Sequence, residues 1–131
     1  MRTQELAAEP AGVNEAVVYG QLVTEPEYRE LPSGSRAASF SLTVRRPGEK
    51  TTSVPISWID PPARLEAWQV GDMIVARGPV VRRFYRSAGG LASATEVVVA
   101  RAELARHRAK ANKVVAQAEA SLVEVRTSLG A

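Results

Sequence analysis

The 131-residue sequence contains no cysteine, which excludes a disulfide framework, thiol chemistry and a cysteine-based zinc site. Its one histidine, His107, stands among bases in "ARHRAK" with no acid partner close in sequence, and it reads as a solvated helix position. There is no GxxxxGKS/T phosphate loop and no HExxH metal motif, and Gly89-Gly90 is a turn and nothing more. A non-enzymatic protein that uses no cofactor and no metal is therefore expected. No apolar run approaches the roughly 20 residues that a membrane helix needs. The opening, "MRTQELAAEPAG", lacks the apolar stretch of a secretory signal. The expectation is a cytoplasmic protein with no membrane partner.

What is present is ordinary in amount and uneven in place. An apolar share of 45% and a charged share of 24% suit one soluble domain with a single core and an appended element. The formal net charge is only +3. Yet acids crowd the first 30 residues, from Glu5 to Glu30. Bases gather at Arg45, Arg46 and Lys50, again at Arg82, Arg83 and Arg86, and again from Arg101 to Lys113. Such clustering suits a polyanion-binding stripe; solubilising surface charge is the alternative.

Along the chain, residues 1–12 read as a loose arm broken by Pro10 and Gly12. "EAVVYGQLV" is β-rich, with Gly20 marking a bulge or bend, and "TEPEYRELPSGS" is a loop. "RAASFSLTVR" alternates Ala38, Phe40, Leu42 and Val44 with Ser39, Ser41, Thr43 and Arg45, so one face enters a core and a small polar face stays outside. "RPGEK" is a turn, and "TTSVPISWI" is a strand weakened by Pro55. In "DPPARLEAWQV" Asp60 can cap, Pro61 suits a first helical position, Leu65 and Trp68 share a face, and Gly71 ends a short helix. "MIVARGPVVRRFYR" and "LASATEVVVARAEL" are extended around a "SAGG" hairpin tip.

The expected class is all-β: a five-stranded OB-fold barrel with a short helix between the third and fourth strands, an architecture whose face and loops bind oligonucleotides. From about Arg101 there is no Gly or Pro until Gly130. There Ala111, Val115, Ala118, Leu122, Val125 and Leu129 form one apolar stripe on a C-terminal helix. That helix packs on its own barrel or on a second subunit. The domain reading is an arm over 1–12, the barrel over 13–105 and the helix over 106–131.

Several stretches together resemble the bacterial single-stranded DNA-binding (SSB) family. In "NEAVVYGQLVTEPEYRELPSG" the positions Asn14, Gly20, Leu22, Pro26, Glu27, Arg29 and Gly34 match that family's opening without a gap. "RAASFSLTV" resembles its second strand and "TEVVVARAEL" its fifth, so the resemblance covers about residues 13–105. It implies an OB-fold subunit that assembles, usually as a homotetramer (or a homodimer here), and binds single-stranded DNA without sequence readout. Tyr85 then falls on a stacking aromatic of the hairpin, Arg83 on the basic position before it, Arg29 on a loop arginine, and Trp58 on the aromatic that ends the third strand. Three departures stand out. "RRPGEK" holds no aromatic, Thr52 and Ser53 replace another, and the closing "SLVEVRTSLGA" lacks the family's Gly/Pro/Gln-rich linker and the acidic tip that recruits replication partners.

Binding a single strand without sequence preference needs cations along a groove and exposed ring faces, each stack being worth about 1–3 kcal/mol. "RRFYR" supplies both. Arg83 and Tyr85 share one face of an extended arm, and Arg82, Phe84 and Arg86 share the other. One ring is expected to pack inward, with Tyr85 the outward one. Trp58 is divided: alternation places it in the core with Val54 and Ile56, whereas the resemblance places it in the groove. Trp68 is expected to plug the barrel end, Tyr19 and Phe40 to lie in core or interface, and Tyr28 to be at most a minor stacker. Arg45, Arg46 and Lys50 flank a turn from which phosphate is easily reached. The expected function is protection or organisation of single-stranded DNA in replication, repair or recombination. The alternative is an SSB-like structural protein of weak DNA affinity that oligomerises or docks a partner through its C-terminal helix.

Overall fold

The structure, a computed structural model, describes residues 11–130. Most of the arm expected over residues 1–12 therefore lies outside the described residues. The elements are β1 (Ala16–Leu22), β2 (Glu27–Glu30), β3 (Arg36–Val44), β4 (Thr52–Ile59), a short 3-10 helix (Ala63–Ala67), β5 (Met73–Gly78), β6 (Val80–Ser87), β7 (Gly90–Val98), β8 (Arg101–Leu104) and α1 (Arg108–Ser128). All eight strands belong to one sheet in the order β6-β7-β4-β3-β1-β5-β8, with β2 pairing the first half of β3.

The expected five strands thus become eight, and the ladder does not close into a barrel. Two long extended runs are broken, one at Pro79 and one at Val99-Ala100, and a four-residue strand forms where a loop was expected. The break at Pro79 has a local cause. Proline offers no N–H to a ladder, and at Gly78 an added Cβ would lie 1.9 Å from the Val98 carbonyl oxygen. Only glycine lets the two chains cross so closely. At that crossing the Val98 N–H donates to the Pro79 carbonyl at 2.9 Å and the Ala100 N–H to that of Arg77 at 2.8 Å. The sheet therefore curls, and β5 meets β7 although the two are not neighbours in the ladder.

The alternation of β3 is realised. Ala38, Phe40 and Leu42 are buried, while Ser39, Ser41 and Thr43 lie half-exposed on the other face. Inside the curl, Leu22, Leu42, Ile56, Leu65 and Ile74 are sealed from solvent. Leu65 and Trp68 close one end of this core as expected. The Trp68 ring meets Phe40 edge-on with centroids 6.1 Å apart and Trp58 at 5.6 Å. The expected cap at Asp60 is not made: no side chain caps the 3-10 helix, which starts after Pro62. Asp60 instead takes a left-handed turn (φ 50°), and its backbone N–H donates to the Arg36 carbonyl at 2.7 Å.

Helix α1 lies across β8, β5 and β1 and buries Val114 and Ala118 against them. The expected stripe is met in half of its positions: Ala118 is buried and Ala111 and Val125 are half-buried on this face, whereas Val115, Leu122 and Leu129 are exposed at 42%, 60% and 77% because Val114 and Ser121 take their place. A polar clasp sets the phase. The Arg77 guanidinium donates to both oxygens of Glu15 at 2.7 and 2.9 Å and to Gln117 Oε1 at 3.2 Å, and the Ser121 hydroxyl donates to Glu15 Oε1 at 3.2 Å. The hydrogen bonds from Arg77 hold the Glu15 carboxyl below its ordinary range, outweighing the opposing effect of burial. One residue earlier, the Asn14 amide closes a two-way bond with Val80 at the root of β6, donating at 2.8 Å and accepting at 2.9 Å.

Candidate nucleic-acid interface

Strands β6 and β7 pair over eight residues, Val80↔Val97 to Ser87↔Gly90, but β7 joins β4 only at Val97 and Val98. Most of the hairpin therefore leaves the sheet as a two-stranded arm, and every residue of β6 is exposed. Its tip turns at Ala88-Gly89, with Gly90 at φ 114°, a conformation that glycine adopts without strain. An isolated two-stranded ribbon has no core of its own, so its side chains serve whatever lies on either side.

On one side stand Arg83 and Tyr85, opposite Ala94 and Ala92. The Arg83 guanidinium sits 5.3 Å from the centroid of the Tyr85 ring, which is 41% exposed, and its Nε–H donates to Glu96 Oε1 at 2.8 Å. The small polar face of β3 continues this surface. Ser39, Ser41, Pro55, Arg83 and Glu96 line one open groove of about 430 Å³, with Glu25 and Glu27 on its rim. Arg29 reaches the same face and donates to the Ser39 hydroxyl at 2.7 Å. Small side chains on β3 leave room for a chain to lie flat, which bulky residues would fill.

On the other side stand Arg82, Phe84 and Arg86, opposite Thr95, Ser93 and Leu91. Arg82 lies 5.1 Å from the Phe84 ring centroid and donates to the Ser93 hydroxyl at 3.3 Å. Phe84 is 60% exposed. The expectation that one of the two rings packs inward is therefore corrected: both are open, because the arm has left the sheet before reaching them.

Trp58 is the second correction. It is 6% exposed, inside the core against Trp68 and on the inner face of β4 with Ile56. The period of two decides its direction, and its ring faces cannot receive a base. The groove position suggested by the resemblance is not where this side chain lies. Arg64 comes within 5.8 Å of the Trp58 centroid from the rim. Tyr28 also turns toward the core side, beneath Arg36 at 4.1 Å, and Tyr19 is exposed on the outer face of β1 at 58%.

Arg83 thus lines the groove with Tyr85 beside it on the same side of the arm, Arg29 reaches the groove through Ser39, Arg82, Phe84 and Arg86 form the back of the arm, and Arg45, Arg46 and Lys50 stand apart. The last three lie beyond the far end of β3. Arg45 donates to Gln21 Oε1 at 2.8 Å, Arg46 pairs with Glu49, and Lys50 is exposed. Sequence reasoning missed the acids. Glu96, only 8% exposed, follows Thr95 in a stretch read only as strand, and register alone reveals that it faces Arg83.

No protein-family model matches the chain, and no curated protein matches it. Among solved structures it is similar to that of Plasmodium falciparum SSB in complex with ssDNA, with 20% identity over 73% of this chain and 96% of that one, and a TM-score of 0.59. The likeness lies in the fold. The mostly β sheet of this chain, curled about one core and followed by one C-terminal helix, is consistent with an OB-fold.

Proposed function

We propose that this protein binds single-stranded DNA without reading its sequence. The observation that carries the proposal is the exposed Tyr85 ring beside Arg83, which itself lines a groove floored by the small polar face of β3 that Arg29 also reaches. A ring face accepts any base, and guanidiniums beside it neutralise phosphates whatever the sequence. The solved structure of similar fold, a complex with ssDNA, supports the same reading. The chain performs no catalysis in this role; it covers or orders single strands during replication, repair or recombination, in the cytoplasm beside the nucleoid. We further propose that it works as a homo-oligomer, a homodimer or homotetramer, joined through the exposed apolar surface of Val17, Tyr19 and Val115, which line one open hollow between β1 and α1, with Leu122 exposed two turns further along the helix.

The test is titration of labelled oligo(dT) by anisotropy at two salt concentrations, with duplex of the same length as competitor. Tight, salt-dependent binding of oligo(dT) over duplex is expected, and Tyr85→Ala/Arg83→Ala is expected to weaken it at least tenfold. Unchanged binding by that double variant would remove the groove as the site.

A second reading is favoured by the charge of the groove, where Glu25, Glu27 and Glu96 meet only Arg29 and Arg83. Here the chain is an assembly or docking protein of weak DNA affinity, acting through α1. In that case Val115→Glu/Leu122→Glu lowers the mass measured by light scattering while oligo(dT) binding is negligible even in the parent protein.

A further inference from the structure

We propose that the back of the arm, Arg82–Phe84–Arg86, is a second contact surface for single-stranded nucleic acid, separate from the groove, so that the arm holds polynucleotide on both sides. The inference rests on the reading of the protein as a single-strand binder and goes beyond it in the number of strand segments that one chain takes.

Charge is the first ground. Arg83, on the groove side, is committed to Glu96 at 2.8 Å. Among the described residues neither Arg82 nor Arg86 has a carboxylate within ion-pair distance, and between Val80 and Val98 the sole acid is Glu96, which points to the other side. Among the described residues the back of the arm is therefore cationic without compensation, whereas the groove holds three carboxylates to two guanidiniums. A polyanion gains more counterion release from the free pair than from the committed one.

Ring exposure is the second ground. Phe84 is more open than Tyr85, at 60% against 41%, and it packs into nothing: its near neighbours are Arg82 and the exposed β7 residues opposite. A phenyl ring with Arg82 beside it and Arg86 two residues further along the same side repeats the chemistry of the front, with a ring for a base and cations for the phosphates. Leu91, 72% exposed opposite Arg86, extends that apolar floor toward the tip. A duplex keeps its base faces stacked away and cannot use such a ring, so the occupant is single-stranded.

The third ground is geometric. Seven paired residues free of the sheet, Val81–Ser87, make a ribbon about 23 Å long, and its two sides are separated by the ribbon's own thickness. One segment cannot lie on both sides at once. The second segment is either a later stretch of the same strand, turned round the tip, or a separate strand.

The experiment counts strands per chain. Short oligo(dT) of about eight nucleotides, within the range that one OB-fold covers, is titrated to saturation and followed by native mass spectrometry and anisotropy. Two oligonucleotides per chain are expected for the parent protein. One is expected for Arg82→Ala/Phe84→Ala/Arg86→Ala, with the log–log salt slope of overall binding reduced by about 1.4, from about 0.7 per lost phosphate contact. Tyr85→Ala/Arg83→Ala should also retain one, at the back. All the changed positions are exposed, and an unaltered thermal transition of each variant verifies the fold. A long oligo(dT) bound one to one, with a footprint shortened by the triple change, identifies a single wrapped strand. Energy transfer between two labelled short strands on one chain identifies separate ones. Equal stoichiometry and equal salt slope for parent and triple variant would overturn the proposal while leaving single-strand binding intact. No binding by the parent protein would overturn both.

Discussion

Both tryptophans are 6% exposed and their rings lie 5.6 Å apart in the core, so neither can report a base stacking upon it. Tryptophan emission is expected to stay within a few per cent of its starting value as oligo(dT) is added, even where anisotropy of a labelled strand shows saturation. Trp58→Ala, by contrast, opens a cavity beside Trp68 and should cost about 3–5 kcal/mol in urea unfolding. Tyr85→Ala should leave stability nearly untouched and cost about 1–3 kcal/mol in binding. At this scale the sequence was legible wherever one side of a strand is covered. The alternation of Val54, Ile56 and Trp58 pointed to the core, and the core is where the ring lies. Tyr85 is outward as expected, but the openness of Phe84 was not legible, because alternation assigns residues to sides but not the side that is covered. On the arm neither side is.

Among the elements, the junction of β5 and β6 depends on the absence of a single methyl group. Gly78→Ala would force a Cβ against the Val98 carbonyl, 1.9 Å from it in the present geometry. The strain should cost about 1–3 kcal/mol or more, read as a lowered denaturation midpoint. It should also loosen the arm, whose root begins one residue beyond. The attachment of α1 carries a pH dependence with a fixed sign. Glu15 titrates below its ordinary range in the folded chain because Arg77 hydrogen-bonds its charged form. The ionised clasp therefore stabilises the fold at neutral pH and loses that contribution as pH falls below about 4, through the depressed value. Glu15→Gln should lower stability at pH 7 and flatten the acid limb of the curve, as followed by circular dichroism. The helix itself was legible from its run without Gly or Pro and its 3–4 spacing. Its phase was only half legible. Ala111, Ala118 and Val125 lie on the packed face as expected, but Val115, Leu122 and Leu129 fit the apolar periodicity as well as Val114 does, and the clasp through Gln117 and Ser121, which no pattern of apolar residues encodes, turns the helix toward Val114.

For the molecule as a whole, the modest net charge conceals the distribution that matters. If groove and arm bind as proposed, affinity for oligo(dT) should fall steeply with salt, and Glu96→Gln should raise it severalfold by releasing Arg83 from its carboxylate; a titration at two ionic strengths measures both effects. The order of strands and the two-residue hairpin were foreshadowed by turn residues and by period. The open ladder was not, since a run such as "MIVARGPVVRRFYR" carries its break in a Gly-Pro step that also suits a bend within one strand.

Asn14 and Glu15 are neighbours in the chain, yet the first grips the root of the arm at Val80 and the second the underside of the helix through Arg77 and Ser121. Two appendages that point to different surfaces thus hang from one peptide unit. Whatever tugs on that dipeptide from the N-terminal side pulls at both together. A substitution as small as Asn14→Ala should therefore raise amide exchange at Val80 and in the middle of α1 alike, coupling the surface proposed to hold DNA to the surface proposed to hold another subunit.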